Sequence, residues 1–134
     1  MVGALSELFL IPRENVLQVW PLCNEFITAG SMDAEFLPEE LKTQCAAGTS
    51  QLWFVWSGIL DGAAVTTTAP SRRGPLCVIV AAGGVMAKCL GFLDEIENWA
   101  RSIGCKGIRI YGRKGWSRVL HDYKVTRFVY DKDI

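Results

Sequence analysis

Gly112-Arg113-Lys114-Gly115-Trp116 is the most distinctive short run in the sequence. Two glycines around two bases make a flexible loop able to offer backbone amides and positive charge to a phosphate, and Trp116 is placed to stack on a ring. The same run also reads as plain structure, with the glycines shaping the entry to a helix, Trp116 anchoring it and both bases solvated. His121 is the one histidine; Ser117 stands four residues before it, on the same face if the stretch is helical, and Asp122 is adjacent. Nucleophilic hydrolysis needs more: a carboxylate oriented from behind the imidazole, and an oxyanion hole, neither of which a six-residue stretch supplies. His121 therefore reads as a surface residue near a chain turn. Cys23, Cys45, Cys77, Cys89 and Cys105 have no CxxC spacing, and each lies in or beside an apolar segment, as reduced core thiols do. With a single histidine and no paired cysteines, no structural metal site is expected.

The formal net charge is zero, but it is unevenly spread. Residues 1–50 hold seven acids against two bases, Arg13 and Lys42, whereas residues 101–134 hold nine bases against three acids. Such a split marks a surface for an anionic partner or is offset where the two ends pack together. The bases are spaced along a strand and a helix without forming a contiguous tail, which favours the second. No zinc finger, nucleic-acid-binding strand motif or long basic helix accompanies them, so nucleic acid is not the expected partner. Half of the 134 residues are apolar and 21% are charged, enough for one folded domain over residues 1–134 and too little for two. Apolar stretches such as Leu76 to Ala82 fall far short of the ~20 residues that cross a bilayer. Residues 1–10 carry Glu7 and lack a basic leader, so the expectation is a cytoplasmic protein without a signal peptide.

The elements that must position any site follow from periodicity. Val16, Leu17, Trp20, Cys23, Phe26 and Ile27 predict a helix over about 13–29, ended by Gly30, with Pro21 kinking it or dividing it in two. Pro38-Glu39-Glu40 through Gly48 predicts a short helix. Gln51 to Ser57 and Ala63 to Thr68, joined by the Gly58 to Gly62 turn, read as a hairpin, and Leu76 to Ala82 as a strand at the centre of the sheet. A helix over about 86–103, capped by Gly104, then a strand over Gly107 to Tyr111 complete a strand, helix, strand unit. A short helix from Trp116 to about Asp122 and a last strand over Lys124 to Tyr130 close the chain. Trp53 and Trp56, three apart, cannot share one face of a strand, so one indole is expected to point outward beside Phe54 as a contact patch.

Two helices, a hairpin, a central strand feeding a helix, a strand, a short helix and a terminal strand is the element order of the Gcn5-related N-acetyltransferase (GNAT) fold. The later residues carry more. Leu93-Asp94-Glu95-Ile96-Glu97-Asn98-Trp99-Ala100, Gly104-Cys105, Ile110-Tyr111-Gly112-Arg113-Lys114-Gly115-Trp116 and Val119-Leu120-His121-Asp122-Tyr123 resemble small acetyltransferase-like proteins of tailed bacteriophages and prophages, some of them linked to internal virion proteins. The resemblance covers residues 50–134 and reaches residues 1–50 only through element order. It implies a single-domain α/β (α+β) GNAT-like fold, a mixed and mostly antiparallel sheet with splayed central strands flanked by helices, and acetyl-CoA or CoA as the candidate ligand.

In that superfamily the turn after the central strand carries Gln/Arg-x-x-Gly-x-Gly/Ala, whose amides at a helix N-terminus cradle the coenzyme A diphosphate. Here only Gly83, Gly84, Val85 and Met86 stand between Ala82 and Ala87. Gly83 and Gly84 can still offer bare amides to one anion, with Lys88 one turn on; alternatively Gly-Gly simply makes the sharp turn from strand to helix. The resemblance also implies Arg113 and Lys114 as coenzyme contacts, and a tyrosine as general acid toward the leaving thiolate. Leu120 stands at or near that tyrosine's place, which leaves Tyr123 and Tyr111 as candidates. No base is evident, because Asp94, Glu95 and Glu97 fall on the outer face of their helix.

Two functions follow. One is a phage-type protein that keeps the fold without the complete coenzyme cradle and works through protein contacts in virion assembly or in the infected host. The other is an acetyl-CoA-dependent N-acetyltransferase with a reduced coenzyme A site of Gly83, Gly84, Lys88, Arg113 and Lys114, in which positioning and strand backbone amides carry catalysis. The missing glycine-rich run favours the first.

Overall fold

Strands form where β-branched and aromatic residues meet a pleated, half-buried surface. The computed structural model describes residues 5–31, 36–111, 116, 118–128 and 130–134, Met86 and Ala87 by their backbone alone. Its strands are β1 (Glu7–Ile11), β2 (Ser50–Trp56), β3 (Leu60–Ala69), β4 (Leu76–Gly84) and β5 (Gly107–Ile110), arranged in that order in one sheet. Neighbours are antiparallel except β4 and β5, which run parallel. The middle strand is β3, not the segment from Leu76, because β1 adds an unexpected edge on the far side.

Helix α1 (Val16–Gly30) sets Val16, Trp20, Cys23 and Ile27 onto one face of the sheet, and α2 (Pro38–Ala47) adds Leu41 and Cys45. The ends of α2 are determined locally: Pro38 opens it, Glu39 and Glu40 face its positive end, and Gly48 closes it at a φ of 84°. On the other face α4 (Leu93–Ser102) packs Ile96 and Ala100 with Trp53, Cys77 and Cys105. All five cysteines are free thiols, and all but Cys89 are buried. Burial pushes Cys23 and Cys45 up to about 12 and Cys77 to about 11, so these thiols are inert at neutral pH.

Two β-bulges shape the region that matters for function. Val65 opposes Ala81 while Thr66 opposes Ile79, so Val80 is one residue too many on β4. A bulge bends its strand and strengthens the twist. The partner β5 pairs with β4 along its whole length, Gly107 to Ile110 against Leu76 to Ile79, and ends there, so that β4 runs on past it. From Val80 to Gly84, β4 keeps β3 on one side and has no strand on the other among the described residues. The second bulge lies on β3: Val55 opposes Gly62 and Trp56 opposes Leu60, which leaves Asp61 as the extra residue.

Several expectations are corrected. Pro21 does not divide α1, which runs unbroken after a 3-10 turn at Arg13–Asn15. Leu17, whose carbonyl Pro21 leaves without its usual i+4 donor, lies like Pro21 on the exposed side, open to solvent. The single helix over 86–103 is instead α3 (Met86–Cys89), a 3-10 turn (Leu90–Phe92) and α4, interrupted at Gly91, a poor helix former. Ile103, placed on its apolar face, is exposed beyond the helix end. Gly83 and Gly84 are strand, not turn. The short helix expected from Trp116 to about Asp122 is a 3-10 turn at Trp116 and Arg118, where the Trp116 carbonyl accepts from the Val119 and Leu120 N–H groups, followed by turns; Lys124 to Tyr130 forms no strand among the described residues, Val125, Phe128 and Tyr130 being exposed. The described ion pairs, Lys42 with Glu39 and Lys88 with Asp61, do not join the N-terminal acids to the C-terminal bases. No helix among the described residues is long and apolar enough to cross a membrane.

Candidate functional site

Beside the stretch of β4 that runs on past the end of β5 lies a cavity of about 280 Å³. Its mouth is formed by Ile79, Ala82, Gly83 and Gly84 of β4, Ile110 and Tyr111 at the end of β5, and Ala29 and Gly30 at the end of α1. Its inner walls are Leu90, Phe92, Leu93 and Ile96 on one side and Trp53, Val55 and Ala64 of the sheet on the other. The sheet wall is held by a buried chain: Trp53 Nε1 donates to Thr66 Oγ1 at 2.9 Å, and Thr66 Oγ1 donates to Gln51 Oε1 at 2.9 Å. Trp53 also meets Trp99 edge to face, centroids 5.1 Å apart. Among the described lining residues the only ionisable side chains are Tyr111 and Cys89. Burial first, and then the charge of Asp61, raise the Cys89 pKa, so it stays a thiol at neutral pH.

Asp61, which the sequence presents as an ordinary turn residue, fastens the rim of this site. It is only 2% exposed. Its carboxylate accepts from Lys88 Nζ at 3.1 Å and Ser6 Oγ at 3.2 Å, and its backbone carbonyl accepts the Val85 N–H at 2.9 Å. The bulge gives it this reach, since an extra residue re-aims its side chain. A hydrogen bond from Ser57 is the main cause holding the carboxyl below the ordinary value; burial opposes it, and Lys88 and Ser6 reinforce it. The folded state thus binds the Asp61 proton more weakly than the unfolded chain does. The stability from this cluster is present above the unfolded carboxylate value, ~3.9, and is lost as pH falls through the depressed folded value. Asp61→Asn is expected to lower the melting temperature at pH 7 and to narrow that deficit below pH ~4. A deficit that does not change between pH 7 and pH 3 would refute this role.

The sequence candidates fall in different places. Tyr111 lines the cavity and is exposed at its mouth. Tyr123 is not among the lining residues: its hydroxyl donates to Glu97 Oε2 at 2.7 Å, and burial, followed by that carboxylate, drives its pKa up. Glu97 is therefore half-buried and engaged, unlike the exposed Asp94 and Glu95 of the same helix. Gly83 and Gly84 line the cavity but belong to β4, where a Cβ on Gly83 would overlap the Phe26 carbonyl of α1 and one on Gly84 the Asp61 carbonyl of β3. These glycines serve close backbone approach. Lys88 is paired with Asp61. Trp116 is half-buried at the cavity; Arg113, Lys114, the flanking Gly112 and Gly115, and Ser117 lie outside the described residues. His121 is exposed. Trp53 is buried and Trp56 faces outward as expected, but Phe54 is buried on the α1 face and adds nothing to an outer patch.

No family model matches the chain, and no curated protein matches it in sequence. Solved structures do match. An aminoglycoside acetyltransferase from an uncultured soil metagenomic sample, in complex with sisomicin, superposes with a TM-score of 0.66 at 10% identity over 96% of this chain and 97% of that one. A predicted acetyltransferase with acetyl-CoA from Clostridium acetobutylicum gives 0.65 at 12% over 97% and 96%. A GNAT family acetyltransferase from Staphylococcus aureus gives 0.63 at 11% over 96% and 98%. At these identities the likeness is one of fold, and the chain has a GNAT-like α+β fold with a five-stranded mixed sheet.

Proposed function

We propose that this GNAT-like chain is an acyl-CoA-dependent N-acyltransferase with a reduced coenzyme site, its thioester substrate lying beside β4 beyond the end of β5. One observation carries the reading: past the Val80 bulge, a β4 backbone edge with no strand partner among the described residues lies beside an apolar cavity. Backbone amides beside an apolar cleft polarise a carbonyl more strongly than they do in bulk water, because the local dielectric is lower. The thioester end of the substrate fits this arrangement. The diphosphate end has less to hold it, since Gly83 and Gly84 are strand and Lys88 is already paired. A neighbouring fold solved with acetyl-CoA is consistent with the same ligand class here.

In the transfer, the amine nitrogen attacks the thioester carbonyl carbon. The C–N bond forms, the C–S bond breaks with its electron pair on sulfur, and the proton shed by nitrogen ends on that sulfur. Tyr111 carries the one hydroxyl among the described lining residues and is the relay for that proton. No carboxylate or imidazole stands among them, so positioning of the amine against the thioester supplies most of the rate.

The test is a titration with acetyl-CoA and CoA, followed by melting temperature. A ligand at 100 times its dissociation constant adds ~2.7 kcal/mol, a rise of several degrees. Tyr111→Phe should keep the rise while slowing transfer by about 100-fold. No rise with millimolar CoA or acetyl-CoA overturns the reading. The second reading, a phage protein acting through contacts in virion assembly or the host cytoplasm, then takes its place. It is favoured by the exposed Val125, Phe128 and Tyr130 of the C-terminal segment.

A further inference from the structure

At about 280 Å³ the cavity is larger than a two-carbon acyl group needs. Its lining includes Leu90 and Phe92 of the interrupted helix, Trp53 and Val55 on β2 and Leu8 on β1. Two features make this room. The helix is broken between Cys89 and Leu93, so no continuous helix presses on the sheet there. The floor between is Ala64, a small side chain directly opposite Trp53 in register.

The size and chemistry of this inner space limit what it can hold. An apolar cavity of ~150 Å³ takes a benzene ring. The whole cavity here, about 280 Å³, is roughly twice that, room for on the order of ten carbons. The Trp53 N–H is already donated to Thr66, and Cys89 is the one polar side chain near the inner walls among the described residues. A polar group entering would lose its water and find no partner, whereas each methylene gains by leaving water.

We infer that the inner part of the cavity is a pocket for an apolar acyl chain, so that the thioester substrate carries a chain of about six carbons in place of acetyl. This rests on the acyl-CoA reading above. The bond changes of the transfer are the same; what differs is that the chain beyond the carbonyl lies under Leu90 and Phe92 and against Trp53.

The experiment titrates the full chain with CoA, acetyl-CoA, butyryl-CoA, hexanoyl-CoA and hexanoate, read by melting temperature and tryptophan emission. Each buried methylene is worth about fourfold in affinity, so hexanoyl-CoA, four methylenes longer, is expected to bind about 250-fold more tightly than acetyl-CoA. Its binding should shift the emission of the Trp53 indole. Ala64→Leu fills the floor, and the hexanoyl to acetyl affinity ratio should fall toward one; if that variant does not fold, Val55→Phe tests the same wall. Acetyl-CoA binding as tightly as hexanoyl-CoA overturns the acyl-chain pocket and leaves the parent reading standing. Hexanoate binding as tightly as hexanoyl-CoA overturns the thioester as the source of the chain. Binding of neither CoA nor any ester overturns the parent reading itself.

Discussion

Gly83→Ala is expected to destabilise the protein by upwards of about 4 kcal/mol, enough to abolish a folded baseline in mild urea. The reason is the approach of two backbones. A Cβ on Gly83 would overlap the Phe26 carbonyl, and one on Gly30 would likewise overlap the Ala82 carbonyl, so α1 lies against β4 with no space for a side chain at either crossing. Backbone cannot rotate out of the way as a flexible side chain does. Relief requires α1 to lift from the sheet, which would uncover Cys23 and Ile27, both 0% exposed. The natural control is Gly91→Ala, where a Cβ meets nothing within 4 Å. At that position the loss of unfolded-chain freedom should be neutral or stabilising by up to ~1 kcal/mol. Urea midpoints for the two variants settle the matter; a Gly83→Ala midpoint equal to that of the parent would sink the argument. Loss of ligand binding in a Gly83 or Gly84 variant would likewise report on the fold before it reported on a phosphate contact.

Trp53→Ala should cost ~3–5 kcal/mol, the range for deleting a buried large aromatic. Three interactions go together: the edge-to-face contact with Trp99 at 5.1 Å, the bond to Thr66 at 2.9 Å, and the wall of the cavity. Trp53→Phe keeps a ring for Trp99 but leaves Thr66 without its donor, and about 1 kcal/mol of the loss should remain. Trp56, three residues on and 39% exposed, should tolerate alanine with a loss below ~1 kcal/mol. Chemical denaturation of the three variants gives the order directly. A Trp53→Ala variant no less stable than Trp56→Ala would mean that the Trp53, Thr66, Gln51 chain does not hold the sheet wall.

The partial legibility of the site follows from the range of the forces involved. Tyr111 was identifiable as a strand-end residue and does reach the cavity, whereas Tyr123, three residues beyond the place expected of it, is captured by Glu97 from a helix 26 residues earlier in the chain. Asp61 was missed because aspartate before glycine in a turn is ordinarily solvated. Its burial depends on Ser6, Ser57 and Lys88 converging from three separate segments. The inner cavity was missed for a similar reason: Cys89, Leu90 and Leu93 looked like one face of a continuous helix, and Gly91 had no visible consequence until the sheet beneath was in place.

By itself the sequence determined what short-range physics determines. The proline, acids and glycine around α2, the periodicity of Val16, Trp20, Cys23 and Ile27, and the aromatic and β-branched runs of β2 and β4 are local, and each formed where its own residues required. Tertiary structure decided the rest. A bulge is a mismatch between two strands, so neither Val80 nor Asp61 can be seen to be the extra residue until the register on both sides is set. The anchored rim follows from the second. The segment at Lys124 to Tyr130 has a strand's alternation but no neighbour to pair with among the described residues, and alternation without a partner's hydrogen bonds does not make a strand.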